Sequence, residues 1–252
     1  MRKLPQPESR REFFVLRLGL TAVMLALFIG LVRLIWYPGL HFHLAGMPRL
    51  ILILAVVVLI IGPGLSTLVY RPEKRQLLVD LGTILVVELV AIGLAASVLY
   101  ERRPYYVVFA VDRFEIIATN EVSGDQFQYE ELRRKPGHAP RLVFATYPED
   151  RAKLMKDILL HGAADIDIQP LYWHPYATGI RDILSRTKPL ADLAANDADM
   201  RKILRWTARH SGNVDDYVFL PVQGRANDGA MVLHRRIGYP VGMLRIDPWQ
   251  GG

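Results

Sequence analysis

The sequence contains no cysteine among its 252 residues. Disulfide bonds, cysteine metal ligands and thiol nucleophiles are therefore excluded. The C-terminal part also lacks the G-x-S-x-G, H-E-x-x-H, P-loop and G-x-G-x-x-G patterns of common hydrolases, zinc proteases and nucleotide-binding proteins. We therefore predict no cofactor and no metal site, and we expect that the protein is not an enzyme.

The chain also lacks a large cluster of basic residues. Residues 1–100 hold ten Lys and Arg against five Asp and Glu, whereas the remaining 152 residues hold 21 against 20. The excess positive charge thus flanks apolar segments near the N-terminus. This distribution argues against a nucleic-acid partner, because nucleic-acid binding requires a basic face on a folded domain.

Apolar residues make up 51% of the chain, and many of them lie in three long runs near the N-terminus. About 20 apolar residues in an α-helix, at roughly 1.5 Å per residue, span the ~30 Å hydrocarbon core of a bilayer. We predict transmembrane helices at residues 13–36, 50–70 and 77–100. A cleavable signal peptide is the alternative for the first run, but this run is longer than a signal-peptide core and ends without a small-x-small cleavage site.

Basic residues predict the orientation of these helices, because short loops rich in Lys and Arg stay on the cytoplasmic side of a membrane. Residues 1–12 and the turn at 71–76 are both basic. We therefore place these two segments in the cytoplasm. Residues 37–49 then form an outer loop, and residues 101–252 form an extracytoplasmic domain.

The segment 101–252 has strand patterns at both ends and helix patterns between them. We therefore predict an α+β domain in which strands from the two ends share one sheet. The first strand segment, residues 105–118, is either continuous or divided near residues 112–113. The other predicted strands are residues 141–146, 217–223, 230–235 and 241–246, and the predicted helices lie within 123–134, 148–161, 179–186, 189–195 and 197–210.

Short motifs along the whole chain carry a family resemblance. They are W-Y-P at residues 36–38, I-G-P-G-L at 61–65, L-V-Y-R-P at 68–72, Y-E-R-R-P at 100–104, F-A-V-D-R-F at 109–114 and I-D-P-W at 246–249. In this order and spacing, the sequence resembles the type IV pilin accessory proteins of the TfpX/TfpZ family. The resemblance implies a chaperone-like factor for pilus biogenesis in the bacterial inner membrane, with a type IV pilin and the lipid bilayer as its partners and with its C-terminal domain in the periplasm.

Four charged residues lie inside the apolar runs, and charge at that depth is costly. Asp80 and Arg17 each lie about one turn inside their helices, so they either pair with each other or extend to the interface. Glu88 lies near mid-membrane depth, where we expect a protonated carboxyl bonded to another helix or to a partner protein. In that state, Glu88→Gln would be nearly silent. Arg33 is the fourth charged residue.

Three further features are candidates for partner or ligand contact. Pro63, between two glycines in the second run, predicts a kink and a candidate binding notch. Trp173 and its aromatic neighbours form either an exposed recognition patch or a buried cluster under the sheet. His41 and His43 in the outer loop are interpreted as surface histidines at the membrane interface, because two histidines alone are a weak metal site.

The sequence is compatible with three functions from different classes. The leading hypothesis is a membrane-anchored factor that binds a pilin before or during assembly. The alternatives are a membrane-anchored sensor with a ligand-binding outer domain and, less favoured, a pilin-modifying enzyme. The short predicted cytoplasmic segments count against signalling, because a sensor normally carries an output module on that side.

Overall fold

The computed structural model describes residues 9–71, 77–133, 139–161, 164–210 and 212–249. The chain forms two compact units. We call Met1–Trp36 with Met47–Glu101 the helical unit, and Tyr37–Gly46 with Arg102–Gly252 the sheet domain. Three apolar helices followed by a mixed sheet with helices confirm the predicted fold class.

Three helices are long and apolar enough to cross a membrane: Arg10–Trp36, Met47–Val69 and Val79–Glu101. Their large apolar side chains are mostly exposed, as Leu27 and Leu68 show with exposed fractions of 71% and 73%. Such all-round apolar surfaces are typical of helices that face lipid. The structure therefore supports a multi-pass membrane protein.

The three spans are composed of regular and irregular segments. The first comprises α1, Arg10–Leu31, and a π-helical turn at Val32–Trp36, and the third is a single helix. In the second span, Pro63 lies inside a π-helical segment; the kink and the binding notch that the sequence suggests at this proline stay predictions. Helix α2, His41–Leu44, lies between the first two spans in sequence and belongs to the sheet domain. The other helical segments of the spans are α3, Met47–Leu59, the π-helical segment Ile60–Leu65, α4, Ser66–Val69, and α5, Leu77–Glu101.

The sheet domain contains an eight-stranded mixed sheet. Its strands are β1 (Pro104–Ala110), β2 (Arg113–Ala118), β3 (Arg141–Ala145), β4 (Trp173–Pro175), β5 (Lys188–Pro189), β6 (Tyr217–Gln223), β7 (Gly229–His234) and β8 (Pro240–Leu244). The order is β4-β3-β1-β2-β6-β7-β8, with β5 paired to β6. The pairs β1–β3 and β2–β6 are parallel, and the others are antiparallel. The predicted sharing of one sheet by N-terminal and C-terminal strands is confirmed.

Three helices pack on this sheet: α6 (Arg151–His161), α7 (Ile180–Arg186) and α8 (Asp197–Arg209). The predicted helix within 123–134 is wrong, because the described part of that segment holds only a short 3₁₀ turn, Glu130–Leu132. The predicted helix at 189–195 is a 3₁₀ turn as well, at Leu190–Leu193. The predicted break near residues 112–113 is confirmed by the tight connection between β1 and β2.

Trp173 belongs to the core of the sheet domain. Its side chain is fully buried, and its indole Nε1 donates a hydrogen bond of 3.0 Å to the carbonyl oxygen of Ile166. Its ring lies 4.7 Å from the ring of Tyr106. Of the two sequence interpretations, the buried cluster is therefore right, and Trp173 presents no side-chain surface to a partner.

The segment Tyr37–Gly46 between the first two spans belongs to the sheet domain. Leu44 is fully buried in the main core cluster, beside Val222 and Met231. The carbonyl oxygen of Leu44 accepts a 3.0 Å hydrogen bond from the backbone N–H of Ala226. The predicted outer loop is thus, over these ten residues, part of the folded domain.

His41 lies in the same segment, and its predicted surface position is wrong. Its side chain is only 7% exposed. Burial lowers the pKa of His41 to about 4, because a charged imidazolium would lose its water there. His41 is buried because Leu44, three residues later, packs into the core of the sheet domain, and the short turn that contains His41 is buried with it.

Candidate functional site

The helical unit contains a buried polar cluster, to which each of its three spans contributes. Arg17 of α1 forms an ion pair with Glu88 of α5. The Arg17 Nε atom also donates a hydrogen bond of 3.3 Å to Ser66 Oγ, at the start of α4. Exposed fractions of 9% for Arg17 and 0% for Glu88 and Ser66 show that the protein surrounds all three side chains.

Two further residues complete the cluster around the Glu88 carboxylate. Thr21 Oγ1 donates a 2.8 Å hydrogen bond to Glu88 Oε1. Gly62 packs against the same oxygen, since a Cβ atom at this position would lie 2.5 Å from Glu88 Oε1 and 3.0 Å from Thr21 Oγ1. A larger residue at position 62 would therefore displace the carboxylate of Glu88 or the hydroxyl of Thr21 from these contacts.

The composition of the cluster explains how charge is tolerated inside apolar helices. A charged group in hydrocarbon is costly unless it is paired and its remaining hydrogen-bonding capacity is used. Here the guanidinium of Arg17 and the carboxylate of Glu88 neutralise each other. Ser66 accepts a further hydrogen bond from the guanidinium, and Thr21 donates one to the carboxylate. Because the cluster joins side chains from all three spans, it favours the packing in which these contacts are made.

The structure changes two of the intramembrane predictions. Arg17 contacts Glu88 and not Asp80, which is half-buried in the first turn of α5 and has other interactions. Glu88 contacts the guanidinium of Arg17, and for such a pair we expect Glu88→Gln to be costly and no longer silent. A glutamine would leave the buried guanidinium of Arg17 without a counter-charge.

Sequence reasoning missed Thr21, Ser66 and Gly62. A signal was present for Thr21, which follows Arg17 by four residues and therefore lies on the same helix face. Small and hydroxyl residues are also common where helices meet in membranes. Neither signal identifies a partner on another helix, because that depends on the rotation of each span about its axis.

The sheet domain holds two carboxyl groups with raised pKa values. Burial raises the pKa of Glu115 to about 7, and the neighbouring charge of Asp167 adds to the effect. Burial and the nearby Asp165 also raise the pKa of Asp167. These are the groups that a catalytic alternative would use for acid–base chemistry. Among the described residues, no three His, Cys, Asp or Glu side chains are grouped to hold a metal ion.

Comparison with known proteins finds relatives that cover most of the chain. It is 25% identical over 227 residues to the fimbrial assembly protein of serogroup I from Dichelobacter nodosus, a match that covers 86% of this chain and 88% of the relative. It is 24% identical over 220 residues to the serogroup E1 fimbrial assembly protein of the same organism, a match that covers 82% of this chain and 84% of the relative. A third match, to the protein of serogroups C1 and C2, is 27% identical over 109 residues and covers 42% of this chain and 83% of the relative.

No protein-family model matches the chain. No solved structure matches it significantly either. The relatives therefore carry the comparison alone. Along more than four fifths of its length the chain is similar to proteins named for fimbrial assembly, and these relatives support a fimbrial biogenesis family.

Proposed function

We propose that this protein is an inner-membrane accessory factor of type IV pilus biogenesis, which binds a cognate pilin before or during assembly. The observation that carries the proposal is the extent of the similarity to fimbrial assembly proteins. A match over 86% of the chain is longer than either the helical unit or the sheet domain, so it includes parts of both. The proposed function therefore uses the two units together.

The architecture suits a pilin, which has one apolar helix in the membrane and one folded head outside it. Three apolar helices offer lipid-facing surfaces that a fourth helix can contact, and the sheet domain can contact the head. Helix packing in lipid relies on close fit more than on hydrophobicity, so the spans alone should bind weakly. A second contact on the same molecule raises the effective concentration and can add orders of magnitude in avidity.

The polar cluster has a supporting part in this proposal. Arg17 and Glu88 form an ion pair inside the helical unit and are buried there. They are therefore positioning residues, which hold the three spans in one packing arrangement. The surface offered to a pilin helix is made instead by exposed apolar side chains, such as Leu27, Leu68 and Leu94.

Co-purification tests the proposal. The full chain, extracted in mild detergent, is expected to retain its cognate pilin, whereas a chain that lacks residues 103–252 and a chain whose spans are replaced by an unrelated anchor are each expected to lose it. The unrelated anchor also serves as a control for membrane insertion. Full retention of pilin by the sheet domain alone would show that the spans are only an anchor, and no retention by the full chain would overturn the proposal.

The proposed topology places residues 1–12 and 71–76 in the cytoplasm and the sheet domain in the periplasm. Because the chain has no cysteine, one introduced thiol reports its own location. Gln128→Cys, at an exposed position of the sheet domain, is expected to react in intact cells with a maleimide that crosses the outer but not the inner membrane. A cysteine added at position 9 is expected to react only after lysis, and the opposite pattern would reverse the orientation.

The proposal is a binding function and not a catalytic one. The alternative of a pilin-modifying enzyme predicts a catalytic role for the two carboxyl groups whose pKa values are raised. If Glu115 or Asp167 took part in acid–base chemistry on a pilin, their amide variants would leave pilin bound but unmodified. Pilus output that is unchanged in Glu115→Gln and Asp167→Asn fits the binding function.

A further inference from the structure

The segment Tyr37–Gly46 contains an imidazole that the sheet domain buries. His41, the first residue of α2, is only 7% exposed. Its Nδ1 atom is buried and has no hydrogen-bond partner among the described residues. An imidazolium carries an N–H on both ring nitrogens, and an unpaired N–H on a charged ring costs more than an unpaired nitrogen on a neutral ring. The docked segment therefore suits the neutral form of His41.

The space beside His41 is too small to hydrate a charged ring. His41 helps to line a cavity of about 20 Å³, which lies between the segment, the first residue of β1 and the last residue of β2. A cavity of this size has room for about one water molecule. A protonated His41 would therefore lose most of the water shell that an exposed imidazolium has.

The charged groups at this cavity do not compensate an imidazolium. Its lining includes the guanidinium groups of Arg102 and Arg225 and the ring of Tyr37. Arg225 is paired with Glu121, which is outside the lining. Among the described residues that line the cavity, none carries a carboxylate. Protonation of His41 would thus add a positive charge at a cavity whose own charged groups are both positive.

The other contacts that hold this segment do not change charge near neutral pH. Leu44 is fully buried in the main core cluster, and its carbonyl oxygen accepts the backbone hydrogen bond from Ala226. Tyr37 is fully buried as well, and burial raises its pKa to about 12. His41 is therefore the buried group of this segment whose charge changes near physiological pH.

We propose that His41 makes the docking of Tyr37–Gly46 sensitive to acid. The neutral imidazole stays inside the sheet domain, whereas the imidazolium leaves it for water and takes the segment with it. Release withdraws Leu44 from its place beside Val222 and Met231, so it also loosens the main core. This behaviour belongs to the sheet domain itself and requires no bound pilin.

The pH window follows from the two states of the histidine. Burial lowers the pKa of docked His41 to about 4, whereas the released residue has the ordinary value of 6.5. Docking is therefore at full strength above pH 6.5, weakens as the pH falls toward 4, and weakens no further below that. At pH 5.0 the docked state is about 30-fold less favoured, relative to the released state, than at pH 7.5.

Hydrogen exchange of the full-length protein in detergent tests the proposal. After correction for the intrinsic pH dependence of exchange, the opening equilibrium of Tyr37–Gly46 is expected to be about 30-fold larger at pH 5.0 than at pH 7.5. His41→Phe keeps an aromatic ring and His41→Gln keeps hydrogen-bonding groups, but neither can be protonated. Both variants should change by less than about threefold between the two pH values. Equal opening of the wild-type segment at both pH values would overturn the proposal.

Two other groups that titrate in the same domain make controls necessary. His43, in the same segment, has a lowered pKa because of its partial burial and the charge of Arg245. Burial raises the pKa of Glu115 to about 7, so its protonation favours the folded domain as the pH falls. His43→Phe is the matched control and should keep most of the wild-type response. A wild-type response in His41→Phe would show that other groups cause it, and would overturn the proposal.

Nuclear magnetic resonance provides a second test on the wild-type protein. The imidazole ¹⁵N resonances report the protonation of each histidine, and the signal of His41 is identified by its loss in His41→Gln. We expect docked His41 to remain neutral down to pH 5.0, because its pKa is about 4. A His41 that is protonated near pH 6.5 while the segment is docked would contradict the proposal, whatever the stability of the variants.

Discussion

Arg17→Met is expected to destabilise the helical unit by about 3–5 kcal/mol, because it leaves the buried carboxylate of Glu88 without its counter-charge. Glu88→Gln should have a similar cost for the opposite reason, since the guanidinium of Arg17 then loses its partner. Glu88→Lys should cost most, because it places two positive groups together inside the spans. Thermal unfolding in a fixed detergent, with the protein at a fixed concentration, measures the order of the three variants.

The double variant Arg17→Met/Glu88→Leu distinguishes the cost of leaving one buried charge unpaired from the cost of losing the ion pair itself. Replacement of a whole buried ion pair by apolar residues of similar size is often close to neutral. We therefore expect the double variant to be more stable than either single variant. Thr83→Val, which removes a hydroxyl on the exposed side of α5, is the matched control and should change stability by less than about 0.5 kcal/mol.

Equal stability of Glu88→Gln and the wild-type protein would contradict this account. That outcome would favour the protonated, hydrogen-bonded carboxyl that the sequence alone suggests. The distinction is clear because glutamine keeps a hydrogen-bond donor and an acceptor but carries no charge. The three single variants at Arg17 and Glu88 and the double variant therefore measure both the contribution of the ion pair to stability and its charge state.

The helical unit shows which part of a membrane protein is readable from its sequence. The three spans follow from the length of the apolar runs, and Glu88 is recognisable because a carboxylate at mid-membrane depth is rare. Its partner was not predictable. Arg17 and Asp80 have similar predicted depths, yet Arg17 reaches Glu88 because the rotation of each helix decides which side chains meet.

The sheet domain shows a different limit of prediction from the sequence. Its strands are visible as β-branched and aromatic segments, and the Asp228-Gly229 turn signal lies where β7 begins, since Gly229 is the first residue of that strand. The parallel pairing of β2 with β6 is a contact between residues over one hundred positions apart. No local pattern encodes such a pairing, so the order of the strands in the sheet could not be predicted from the sequence.

The segment Tyr37–Gly46 is a further case in which the sequence does not predict a long-range contact. Ten residues between two spans offer too few apolar positions for a periodic pattern, so they read as an outer loop. In the structure, Asn227 Nδ2 donates a 2.8 Å hydrogen bond to the carbonyl oxygen of His43, and Leu44 completes the main core. The sheet domain thus holds a segment that is covalently continuous with both the first and the second span.

Leu44→Ala is accordingly expected to destabilise the sheet domain by about 2–5 kcal/mol, because it removes a fully buried side chain and leaves a cavity beside Val222 and Met231. Gly224 and Gly229 pack closely against Leu44, since Cβ atoms added at these glycines would lie 2.7 Å from Leu44 Cβ and 3.3 Å from Leu44 Cδ2. Hydrogen exchange of the full-length protein measures the effect, with increased exchange expected in Tyr37–Gly46 and in strands β6 and β7.

Leu171→Ala provides the matched control, since it removes the same atoms from a leucine of the sheet domain that is 44% exposed. We expect the control to cost less than about 1 kcal/mol. If Leu44→Ala leaves both exchange and thermal stability at the level of the control, the docking of this segment is not part of the folded core. If it loosens the segment as expected, pilin binding should weaken as well, because the sheet domain that contacts the pilin head in the proposed function is then destabilised.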